Sequence, residues 1–178
     1  MKYIVDLPDA EGVKSGAAYV KDEMTKLTPG AQWEGILTKQ DHEPSIGEWQ
    51  RYISQSSMFT YWSMTCLLHK FQENLISDLS IFNNCKAMCI FDRMNSLKTL
   101  IDRDVLTSRH FTPDDQPMKQ VALFSLCGVS SVTVNHWSIK PEASLDHLKA
   151  LMSGTLGDGI YVGAAMRKHW NGKDKTLA

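Results

Sequence analysis

The chain has 178 residues, 43% hydrophobic and 22% charged, with five Trp, six Phe and nine Met. That is enough large apolar surface to build the core of a soluble domain and too much for a disordered chain. The formal net charge of −1 excludes a protein coated in basic residues, although residues 1–92 carry 8 basic and 12 acidic side chains and residues 93–178 carry 11 and 8, a modest positive excess in the second half.

Lys2 to Leu7 reads as a short strand, ended by Pro8-Asp9. Its apolar run is too short for a signal peptide, and the longest apolar-rich stretch, Met58 to Leu68, falls well below the ~20 residues of a membrane helix. A cytoplasmic location without a membrane partner is therefore expected. Val13, Ala17, Val20, Met24 and Leu27 recur at spacings of four and three, the stripe of an amphipathic helix stopped by Thr28-Pro29-Gly30. The stripe is read as packing on its own domain, with a dimer seam as the alternative.

Gln32 to Pro44 reads as a connection anchored by Trp33, Ile36 and Leu37. Ser45-Ile46-Gly47-Glu48 then has the spacing of a capping box, which predicts a helix to about Ser54. Phe59, Trp62, Cys66, Leu67, Phe71, Leu75 and Leu79 follow a helical period up to Asn83-Asn84, and predict a mostly buried central helix. Ala87, Ile90, Phe91, Met94, Leu97, Leu100 and Ile101 mark another helix, although "AMCIF" reads equally as a strand. The polar segment "TSRHFTPDDQP" (107–117) is the best internal boundary. It separates a helical body over 1–105, suited to self-association or partner binding, from a module over 106–178.

Four cysteines, Cys66, Cys85, Cys89 and Cys127, lack the spacing of a disulfide framework or a zinc set. They are read as reduced and buried, Cys85 and Cys89 on one helical face. No metal or other cofactor is expected.

From Pro117 onward the chain parses as three short helices. The first reaches Cys127 and turns at Gly128; Ser130 caps the second, which runs through Trp137; Ser144 caps a third from Leu145 to Met152, with Gly154 as its stop. The pattern Gln120-x-x-Leu123, Gly128-Val129-Ser130-x-x-Thr133-Val134-x-x-Trp137 resembles the helix-turn-helix of Cro-like phage and bacterial repressors, departing from it at Phe124, where that family has a small Ala. The periodicities along the chain predict a mainly helical fold with a short N-terminal strand, and the resemblance implies a second helix that lies in the major groove of duplex DNA. Leu123, Cys127, Val129, Val134 and Trp137 would then be internal. Ser130, Ser131, Val132, Asn135 and His136 would face DNA, and Lys119 and Gln120 would approach its backbone; apart from the motif, Lys140 and the basic tail residues Arg167 and Lys168 are read as phosphate contacts.

The competing reading keeps Val121–Leu126 and Ser131–Ile139 as β-branched, aromatic runs of a hairpin spanning 121–139, giving an α+β interaction or effector protein. A third reading pairs His110-Phe111-Thr112 with His136-Trp137-Ser138, similar to the paired motif of two-histidine phosphoesterases. The sequence is read as a non-enzymatic transcriptional regulator that binds duplex DNA.

Overall fold

The computed structural model describes residues 1–7, 17–27, 32–38, 42–63, 67, 84–92, 117–135 and 141–174. Five strands, β1 (Lys2–Asp6), β2 (Glu34–Leu37), β3 (Met58–Ser63), β4 (Ala87–Phe91) and β5 (Ser131–Val134), form one parallel sheet in the order β2-β1-β3-β4-β5. Among the described residues five α-helices accompany it: α1 (Ala17–Leu27), α2 (Ile46–Ser54), α3 (Pro117–Leu126), α4 (Pro141–Met152) and α5 (Val162–Asp174). A π-helical turn, Ser153–Gly157, joins α4 to α5.

Helices cover both faces. Trp49, Tyr52 and Ile53 of α2 and Phe124 of α3 pack on Ile4, Ile36, Phe59, Tyr61, Met88 and Ile90. On the opposite face, Ala17, Val20 and Met24 of α1 and Leu145, Leu148 and Leu151 of α4 meet Tyr3, Val5, Trp62, Cys89 and Phe91. The direction of chain travel explains this division. From β1 to β2 the chain moves one way across the sheet through α1; from β2 to β3, and from β4 to β5, it moves the other way through α2 and α3. Crossovers of one hand place helices on opposite faces when that direction reverses.

The fold is therefore α/β, which corrects both the mainly helical expectation and the α+β hairpin alternative. Strands buried on both faces read as continuous apolar runs without a period of two. "MFTYWS" in β3 is buried at every position, and "AMCIF" in β4 at all but the first; neighbouring apolar residues complete a helical period around both, and "AMCIF", which reads equally as a strand, is one. Glu34–Leu37, expected to be a connection, is β2.

Residues 117–135 divide between the two readings. Residues 121–126 lie in α3, as the three-helix parse requires, whereas 131–134 form β5, as the hairpin reading requires. Gly128 has φ of 96° and stops α3. Val129 N–H donates to Phe124 O at 3.1 Å and Gly128 N–H to Ser125 O at 3.1 Å, the paired bonds of a Schellman motif, with Val129 packed in the same core as Phe124. A glycine and the apolar residue after it thus mark a helix end here, and the next element is a strand. Val132 and Val134 pack against the core, and β5 pairs with β4 through Met88↔Val132, Cys89↔Thr133 and Ile90↔Val134. β-branched side chains suit that pleated surface better than a helix. The sheet also continues from β4 to β5 across the expected internal boundary at 107–117, most of which lies outside the described residues, as does Trp137.

Elsewhere the local signals coincide with the structure. β1 and α1 occupy the expected segments. Ser45 caps α2: its Oγ accepts from Glu48 N–H at 3.4 Å, and its own N–H donates to Glu48 Oε2 at 2.9 Å. The third helix of the C-terminal parse starts at Pro141 instead of after Ser144, and the basic tail is α5.

Candidate functional site at the strand ends

Because every strand is parallel, all carboxyl ends lie along one edge. Side chains alternate between the faces, so residues in lateral register share a side. Asp6 pairs with Ser63. Thr38 follows Leu37, the partner of Val5, and its N–H extends that ladder to Val5 O at 3.0 Å. Asp92 follows Phe91, the partner of Trp62. Thr38, Asp6, Ser63 and Asp92 therefore form a polar row across β2, β1, β3 and β4, on the face covered by α2 and α3.

Hydrogen bonds organise the row. Thr38 Oγ1 donates to Asp6 Oδ1 at 2.8 Å, and Ser63 Oγ donates to Asp6 Oδ2 at 3.3 Å. The carboxylate is thus held at both oxygens by hydroxyls from the strands on either side. Asp92 is fully buried and accepts the Leu67 N–H through Oδ2 at 2.9 Å, a charge-assisted bond that ties the chain beyond β3 to the end of β4. Ser63 is buried and Asp6 half-buried.

The position of Asp6 matters. The chain runs from β1 outward to β2, then returns past β1 to β3 and continues toward β5. The strand order reverses between β1 and β3. In open α/β sheets, ligands bind outside the carboxyl ends of the strands at such a reversal. Asp6 and Ser63 terminate the two strands that flank it.

No family model matches the chain, and no curated protein or solved structure matches it.

The residues expected to touch DNA do not assemble on one helix. The backbone of Lys119 and Gln120 lies in α3. Ser130 is exposed in the bend before β5, whereas Ser131 and Val132 are strand residues, Val132 being packed on the core. Asn135 Nδ2 donates to Oγ of the buried Ser144 at 3.4 Å, so that side chain turns toward α4. His136 and Lys140 lie outside the described residues. Arg167 and Lys168 are exposed on α5, and Lys168 pairs with Asp158 at 2.9 Å. Alternation along β5 sends Val132 and its neighbours to opposite faces of the sheet, which a single base-reading surface does not allow.

The described thiols are buried. Burial pushes the Cys89 thiol up to about 12 and raises those of Cys85 and Cys127, so all three stay protonated and are poor nucleophiles. Cys85 and Cys89 do not share a helical face, as their spacing suggests, but belong to the cores on opposite sides of the sheet. Cys66, and His110 and His136 of the two-histidine pattern, lie outside the described residues. Among the described residues no group of three or more His, Cys, Asp or Glu converges as a metal set, and no helix is long and apolar enough to cross a membrane.

The polar row escapes a reading of the sequence alone, yet it leaves a signal there. The apolar runs that prove to be β1 to β4 each end in a small or acidic polar residue: "IVD" at Asp6, "ILT" at Thr38, "YWS" at Ser63 and "IFD" at Asp92.

Proposed function

We propose that this chain is a ligand-binding α/β domain whose site is the carboxyl edge of the sheet at the β1/β3 reversal. Its ligand is a small molecule bearing an amine or guanidinium group. The observation that carries this reading is the Asp6 carboxylate, fixed through both oxygens by Thr38 and Ser63 at the switch point. A pre-oriented carboxylate favours cationic hydrogen-bond donors, and Asp92 in the same row adds negative charge. Both disfavour a phosphate at this edge. Sequence-specific reading of duplex DNA by this segment would need a helix over 130–137, whereas residues 131–134 are a strand.

A panel of amine, guanidinium and nucleotide compounds, screened by amide chemical-shift mapping, tests the proposal. The expected hits are cationic, shift the amides of Asp6, Thr38 and Ser63, and bind at least about tenfold more weakly to Asp6→Asn, since charge-assisted hydrogen bonds are worth roughly 1.5–3 kcal/mol. Shifts confined to other surfaces, or unchanged affinity in that variant, would refute it.

A further inference from the structure

We infer that β5 is a docking edge for a second copy of this chain, whose own β5 adds antiparallel to it and makes one sheet continuous across the two copies. β5 ends the strand order, and among the described residues only β4 pairs with it. An edge strand presents a row of N–H and C=O groups that another strand can satisfy, and charged side chains, proline or bulges keep such an edge from pairing. β5 has none of these. Residues 130–135 read "SSVTVN", and the register with β4 runs unbroken from Ser131 to Val134. The opposite edge differs. β2 begins at the exposed Glu34, paired with Lys2 of β1 at 3.3 Å, a charge that an approaching strand would have to bury.

The composition of the edge selects a like strand as its occupant. A twofold interface sets the same patch against itself, so a charged edge repels its copy and an uncharged one does not. Val132 and Val134 belong to the α2/α3 face, and Thr133, in register with Cys89, to the α1/α4 face. A twofold axis normal to the sheet opposes residues of the same face, so valine side chains meet on one side while Ser131 and Thr133 line the other. Such β-branched and hydroxyl pairs favour strand association. All four β5 residues are half-buried, and each has surface left to cover. The same axis sets the two α3 helices side by side. Phe124 shares a core with Met88, Ile90, Val132 and Val134, which places α3 above β4 and β5. With strands about 4.8 Å apart, a helix over the gap between them lies about 10 Å from its copy, the spacing of packed helices. Of the four large apolar side chains exposed among the described residues, Met118 and Leu126 are both on α3, with the exposed Ala122 midway between them.

The test is analytical ultracentrifugation of the full chain from micromolar to millimolar concentration, with isotope-filtered NMR on a mixture of labelled and unlabelled chains. The expected result is a reversible dimer with a dissociation constant in the high micromolar range, in keeping with a short seam. Filtered NOEs should connect the Val132 or Val134 methyls to the other copy, and β5 amides should gain protection from exchange as concentration rises. Ser131→Lys should weaken the dimer by at least about tenfold, because like charges brought together across an interface are strongly disfavoured. Glu34→Gln, at the far edge of the sheet, should leave it unchanged. A monomer at millimolar concentration, filtered NOEs confined to another surface, or a folded Ser131→Lys that dimerises like the parent would overturn the inference. The NMR experiment on the parent decides the matter even if a variant fails to fold.

Discussion

Phe124→Ala separates the α/β fold from the helix-turn-helix reading by the sign of its effect. In the repressor-like pattern a small residue at this position lets two helices approach, so alanine would be neutral or stabilising. In the α/β structure Phe124 is 0% exposed and belongs to the core cluster on the α2/α3 face of the sheet, which also holds Met88 and Ile90. A buried aromatic removes about 150–250 Å² from water, worth roughly 4–6 kcal/mol at about 25 cal/mol per Å². Truncation to alanine keeps part of that and leaves a cavity, so the expected loss is about 3–5 kcal/mol. For a chain of this length that lowers Tm by roughly 6–20 °C. Leu126, two residues along the same helix, is 85% exposed, and Leu126→Ala should change stability by no more than about 0.5 kcal/mol. Urea melts followed by circular dichroism and tryptophan fluorescence measure both. Equal or greater stability of Phe124→Ala, or an equal loss from Leu126→Ala, would refute the packing described for α3.

Gly154→Ala should destabilise by about 1–3 kcal/mol through overpacking, because its Cβ would collide with that of Ala165; a normal urea midpoint would contradict this. Glu23 bonds Lys149 of α4 and Lys26, and these partners lower its carboxyl to about 2 from an ordinary 4.5. A depressed folded pKa means that the unfolded chain takes up the proton first, so the stabilisation is complete above pH 4.5 and is lost as pH falls toward 2. The Tm difference between the parent and Glu23→Gln should therefore shrink across that interval, and a difference independent of pH would count against the pairing. Asp92→Ala should cost about 1–3 kcal/mol by leaving the Leu67 amide without its carboxylate, with Asp92→Asn milder because it retains a carbonyl acceptor; equal melts for the two variants would remove that role.

What the sequence determined by itself was local. The strand at Lys2–Asp6, the stripe of α1, the capping box at Ser45 and Glu48, and the helix stop at Gly128 each depend on residues within a turn or two of one another. They were legible because the partners are near in the chain. The tertiary structure decided whether Met58–Ser63, Ala87–Phe91 and Ser131–Val134 are helix or strand. Met58–Ser63 and Ala87–Phe91 are buried on both faces and have no polar side from which a period can be read; Ser131–Val134 is half-buried throughout, and the conformation of all three is settled by the neighbour each hydrogen-bonds. Val132-Thr133-Val134 is a strand because β4 offers Met88, Cys89 and Ile90 in register, a partner more than forty residues away. The candidate site is of the same kind. Asp6, Thr38, Ser63 and Asp92 are ordinary residues one at a time, and only the parallel register of four strands places them in one row.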